Sequence, residues 1–145
     1  MSLSKYFDLS ELTVSETAAR RGMKNTPAGK QLENLKATAA RMDELREGLG
    51  SPIIVTSGYR SPELNAAIGG SKTSAHCHGL AVDFTCPRYG NPLAVAKAVL
   101  ASGIEFDQLI HEYGTWVHIG FAAPGKPSRR QLLTINKRGT VEGLE

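Results

Sequence analysis

Metal-binding residue types crowd into Ser74-Ala75-His76-Cys77-His78-Gly79-Leu80-Ala81-Val82-Asp83, and a further histidine follows in Trp116-Val117-His118. His76 and His118 offer imidazole nitrogens, and Asp83 offers a carboxylate oxygen. Two His with one carboxylate is a ligand set of catalytic zinc, which keeps its fourth position for a water; structural zinc is closed by four protein ligands. All four histidines of the chain, His76, His78, His111 and His118, lie in or beside these two segments, and none precedes residue 76. The expected site is one zinc ion per chain on His76, Asp83 and His118. Such an ion lowers the pKa of its water towards about 7 and polarises a carbonyl or phosphoryl oxygen, which is hydrolytic chemistry.

The elements that must position these groups follow from periodicity. Leu80 to Thr85 alternates with the strand period of two, so Val82 and Phe84 share a core face while Ala81 and Asp83 face a cleft. Gly79 lies where a loop carrying His76 must turn into that strand, and glycine permits the backbone angles of such a turn. Trp116, His118 and Gly120 share one face of a second strand. Tyr113-Gly114-Thr115 reads as a hairpin turn. A three-residue loop sets Glu112 opposite Trp116, diagonal to His118 and within reach of a metal-bound water as general base. A four-residue loop puts His111 on that face instead, because a one-residue slip reverses every side chain.

Arg60, in Ser57-Gly58-Tyr59-Arg60-Ser61, follows a β-rich run (53–57) in a loop able to rim the site. Its guanidinium suits a substrate carboxylate, a developing oxyanion, or a structural ion pair beneath the loop. His78, two residues after His76, is expected to support the ligands or face substrate, as are Ser74, His111 and Trp116.

The pattern S-x-H-x-x-G-x-A-x-D followed by W-x-H resembles the zinc D-alanyl-D-alanine carboxypeptidases and related bacteriophage endolysins, a group that also resembles the hedgehog signalling domain. The likeness takes in Phe7 to Thr13, Thr17 to Gly22, Val55 to Ser61, the metal segment, Phe106 to Ile110 and Trp116 to His118. It implies that His76, Asp83 and His118 are the zinc ligands and that Arg60 handles the substrate or its transition state. It also implies a peptidoglycan peptide as substrate. Many such relatives carry a catalytic glutamate as E-x-x-H, where this chain has Thr115. The implied activity is a zinc metallopeptidase cutting stem peptides or cross-links in cell-wall lysis. A D-Ala-D-Ala carboxypeptidase, and a non-catalytic zinc-binding wall module or phage structural domain, are the alternatives.

Composition fits a small enzyme. The 145 residues, with net charge +3, suit one domain with its own core. We read 1–50 as a helical N-terminal part, 51–123 as the catalytic core and 124–145 as a C-terminal turn and edge segment. No run nears the ~20 apolar residues of a membrane span. No basic segment followed by an apolar stretch opens the chain, so synthesis in the cytoplasm is expected, with phage- or export-assisted delivery to the wall. The basic residues from Lys126 to Arg138 suit either an anionic wall or a solvated edge. Without interleaved aromatics they give no base-stacking platform, so nucleic acid is not an expected partner. A monomer is expected. Cys77 and Cys86 lack C-x-x-C spacing and read as small buried thiols, with a disulfide as the alternative.

Asn25-Thr26-Pro27 reads as a helix start, and Leu32, Leu35, Ala39, Met42 and Leu45 then recur at helical spacing up to Gly48 and Gly50. Shorter helices are expected over Thr17–Arg21, from Ser61-Pro62, and from Asn91-Pro92 to Ser102-Gly103. An edge strand is expected over Gln131–Asn136. Helices packed on a mostly antiparallel sheet make the class α+β, like that of hedgehog and the D-Ala-D-Ala peptidases.

Overall fold

A computed structural model describes residues 1–145. Six strands, β1 (Ile54–Ser57), β2 (Ala81–Thr85), β3 (Gln108–Glu112), β4 (Trp116–Gly120), β5 (Gln131–Asn136) and β6 (Gly139–Glu142), form one sheet ordered β1-β2-β4-β3-β5-β6. Every neighbouring pair is antiparallel except β3 and β5, which run parallel. The helices are α1 (Leu9–Leu12), α2 (Glu16–Arg21), α3 (Lys30–Leu49), α4 (Pro62–Ala67) and α5 (Pro92–Ala101), with a 3-10 turn at Ala75–His78. The class is α+β, as the sequence implies.

Alternation decides which face does what. Val82 and Phe84 of β2, Leu109 of β3, and Val117 and Ile119 of β4 are fully buried and pack with Leu35, Ala39 and Met42 of α3 and Val95, Ala96 and Val99 of α5. Each of these side chains larger than alanine contributes about 1.5–3 kcal/mol by leaving water. A one-residue slip of β2 would expose Val82 and Phe84 and drive the Asp83 carboxylate into this core, so the register is strongly fixed. The opposite face of the same strands carries Asp83, Glu112 and His118 beside Ala81, Ile110 and Trp116. Ser61 and Asn91 cap α4 and α5, accepting from the Leu64 and Ala94 backbone N–H groups, as the Ser-Pro and Asn-Pro steps imply.

Two expectations are corrected. The long helix starts at Lys30 after Gly29 (φ 56), and Asn25-Thr26-Pro27 does not open it. Asn25 instead spends its amide on distant backbone: Nδ2 donates to Thr13 O and Tyr59 O, both at 2.9 Å, and Oδ1 accepts from Ser61 N at 2.8 Å. Gln131–Asn136 is an inner strand rather than an edge, since β6 pairs along its outer side. β6 escaped notice because all four of its residues are exposed and carry no apolar alternation. No helix is long and apolar enough to cross a membrane.

Candidate metal centre

Asp83 on β2 and His118 on β4 are direct cross-strand partners. His76 arrives from the 3-10 turn, whose first N–H groups are capped by Ser74: Oγ accepts from His76 N at 3.2 Å. The turn ends at Gly79, at φ 73. A Cβ there would also press to 2.6 Å from Gln31 O and 3.1 Å from Leu35 N, so glycine lets α3 pack directly on the turn. The helix holds the turn by hydrogen bonds from Asn34 Nδ2 to His78 O (3.0 Å) and from Thr38 Oγ1 to Gly79 O (2.7 Å). The third ligand is thereby fixed by the core helix.

The His76, Asp83 and His118 ligand atoms all lie within 4.8 Å of one another. His76 Nε2 and His118 Nδ1 face the same Asp83 Oδ1, at 3.3 and 2.9 Å. His76 Nδ1 lies 2.7 Å from Gly58 O, and a carbonyl only accepts, so this nitrogen carries the proton and Nε2 presents a lone pair to the centre. Burial pulls the His76 pKa down, which keeps the ring neutral. Burial alone would raise Asp83, but its contact with His118 outweighs this and holds the carboxyl below the usual range. Two imidazoles with an ionised carboxylate make a donor set of catalytic zinc, so the residues fit the metal.

These three line a cleft of about 660 Å³ that also takes in Arg60, Ser74, Glu112 and Trp116. The β3–β4 loop has three residues, with Glu112 opposite Trp116 and Ile110 opposite His118. Glu112 Oε1 lies 4.0 Å from His118 Nδ1. Burial, and then the charge of Asp83, push its pKa up. Arg60 Nη2 reaches Ser74 Oγ at a long 3.5 Å, while its Nε and Trp116 Nε1 are buried donors with no partner in the chain. Both can hydrogen-bond a ligand once the cleft adjusts to one.

Two residues expected near the site are elsewhere. His78 is exposed and lines a separate groove with Asn34 and Leu80, because the 3-10 turn points it away from His76. His111 lies on the other face of β3, with Nδ1 3.0 Å from Glu145 O, as the three-residue loop dictates. Cys77 and Cys86 are free and buried.

Other contributors went unread in the sequence. Gly58 acts through a carbonyl, which no side-chain pattern reveals. Asn25 flanks Arg60 by bonding Tyr59 O and Ser61 N, a link between distant segments. Gln108, also in the cleft, could have been found, since it shares the β3 face of Glu112 and sits opposite Gly120. Asp107 and Arg129 pair at the cleft rim at 2.8 Å.

Residues 5–120 match the family model described as Peptidase M15. No curated protein matches the chain.

Proposed function

This chain belongs to the M15 peptidase family, zinc metallopeptidases of peptidoglycan, and we propose that it is an endopeptidase that cuts stem peptides or their cross-links in wall lysis. The observation that supports a zinc peptidase is the convergence of His76, Asp83 and His118 within 4.8 Å, with Glu112 on the same face. A zinc ion held by those three supplies Lewis-acid polarisation of the scissile carbonyl and a water acidic enough to attack at neutral pH.

The chain's own groups do the rest. Thr115 holds the E-x-x-H position, and Glu112 takes over that glutamate's task, accepting the proton of the attacking water and returning it to the departing amine. Its 4.0 Å approach to His118 supports this role across the hairpin in place of Thr115. Gly58 O keeps the His76 ring in one orientation and one tautomer. Arg60, steadied by Ser74 and by the flanking Asn25 bonds, offers its guanidinium to the developing oxyanion. Trp116 walls the cleft, and its buried indole N–H has no partner within the chain.

Arg60 also suits the terminal carboxylate of a carboxypeptidase substrate, which keeps that second reading in view. The two separate on substrates. Zinc-loaded protein acting on purified peptidoglycan should release new amino groups, and a chelator should stop it. Release of terminal D-Ala from free stem peptides, with intact sacculi untouched, would overturn the endopeptidase reading. Inertness towards both would leave a binding module. Delivery to the wall by a phage lysis system or an export route belongs to the same proposal.

A further inference from the structure

The β3–β4 turn breaks a local rule. Tyr113 sits at φ 54 and Gly114 at φ 63, and Thr115 N donates to Glu112 O at 3.0 Å. These are features of a type I′ turn, whose first central position favours Asn, Asp or Gly. A tyrosine there strains the backbone and gains no core packing, for Tyr113 is 51% exposed. Its ring lies against Trp116, with centroids 5.6 Å apart and planes tilted 44°.

What the ring faces is set by the parallel pairing of β3 and β5. Tyr113 N donates to Ile135 O at 2.7 Å, so the β3–β4 tip stands beside the β5–β6 tip. Tyr113, Asn136, Lys137 and Arg138 line one groove of about 300 Å³. Lys137 and Arg138 are exposed, neither joins an ion pair, and no acidic side chain lines the groove. The groove borders the metal cleft, for Tyr113 packs on Trp116, which lines that cleft, and Asn136 follows Ile135, which also lines it. Its basic wall comes from residues beyond 5–120, outside the family match.

We propose that this groove is a substrate subsite that takes a free carboxylate of the peptide, away from the bond that is cut. Lys137 and Arg138 bind the carboxylate by charge-assisted hydrogen bonds, and the Tyr113 ring packs on the peptide stem beside it. A rigid, amphipathic aromatic gives contact area at low entropic cost, which accounts for keeping tyrosine at a strained position. The inference rests on the peptidoglycan-peptide reading and specifies which substrates that reading favours: stem peptides with unmodified carboxylates over amidated ones.

Trp116 is the only tryptophan, so its fluorescence reports occupancy of both cleft and groove. Zinc-loaded protein is mixed rapidly with a soluble muropeptide carrying free carboxylates, or with the same muropeptide amidated. The parent should bind the free acid about tenfold tighter. A Lys137→Ala/Arg138→Ala double variant should lose that preference. Tyr113→Gly should weaken both ligands several-fold, yet keep or raise Tm because glycine suits φ 54. Equal binding of the two muropeptides by the parent, or an intact preference in the double variant, overturns the subsite. Amino-group release in the same samples judges the peptidase reading separately. Preferential binding without cleavage keeps the subsite and defeats the peptidase, and cleavage without preference does the reverse.

Discussion

Gly58→Ala tests how the metal centre is held. A Cβ on Gly58 would fall on the Leu12 carbonyl oxygen and lie 2.8 Å from Leu12 C and 3.0 Å from Leu12 Cα. Those are backbone atoms of a fully buried residue, so no side-chain rotation relieves the clash. The loop must lift away from α1, which breaks the Tyr59 N–H to Leu12 O bond (2.7 Å) and draws Gly58 O off His76 Nδ1. Overpacking costs about 1–3 kcal/mol and the lost hydrogen bond about 1 kcal/mol. At roughly 2–4 °C per kcal/mol for a chain of this size, Tm should fall by about 5–15 °C. Loss of an orienting partner should weaken zinc binding by about 10–100-fold. Chelator-competition titration and a thermal melt of the metal-free protein read the two effects independently. A variant that loses stability but keeps parental zinc affinity would refute the claim that Gly58 O orients His76, and unchanged stability would refute the packing argument itself.

Glu112→Gln should lower kcat by roughly 100-fold or more with zinc affinity unchanged, while His111→Ala, on the other face of β3, should do far less; the reverse ranking would remove Glu112 as the base. Arg60→Lys keeps the charge but loses the planar fork, so for an endopeptidase it should cut kcat by roughly tenfold with little change in KM, and a pure KM effect would point to carboxylate capture. Asp107 is held below the usual range chiefly by the Arg129 hydrogen bonds. The stability it gives is therefore present above its unfolded pKa and is lost as pH falls through the lower folded value. With Arg129 60% exposed, Asp107→Asn should cost at most about 1 kcal/mol at neutral pH. That deficit should begin to shrink as pH falls below about 4 and vanish only below the lowered folded value; melts that differ equally at every pH would contradict this.

The centre was legible because it obeys strand alternation. Asp83, His118 and Glu112 share a face by the same period that buries Val82, Phe84 and Val117. The three-residue loop, left open against a four-residue one by the sequence, was settled by the register of β3 on β4. His78 was misplaced because a 3-10 turn rotates successive side chains differently from a strand, and nothing in the sequence announces that turn. Asn25 looked like a helix cap since its side chain suits one; tertiary partners at Thr13, Tyr59 and Ser61 claimed it instead. Gly58 carried no signal at all, because its contribution is a carbonyl and the absence of a Cβ. β6, wholly exposed, lacks the apolar period by which strands are recognised.

One zinc ion held by His76, Asp83 and His118 should be required for peptide hydrolysis. Metal-free protein titrated with zinc, with amino-group release from purified peptidoglycan followed at each addition, tests it most directly. Activity should rise in proportion to zinc and level off at one equivalent per chain, and His118→Ala should neither bind zinc tightly nor gain activity under the same titration. Activity in the metal-free protein, or tight zinc binding that survives His118→Ala, would contradict it.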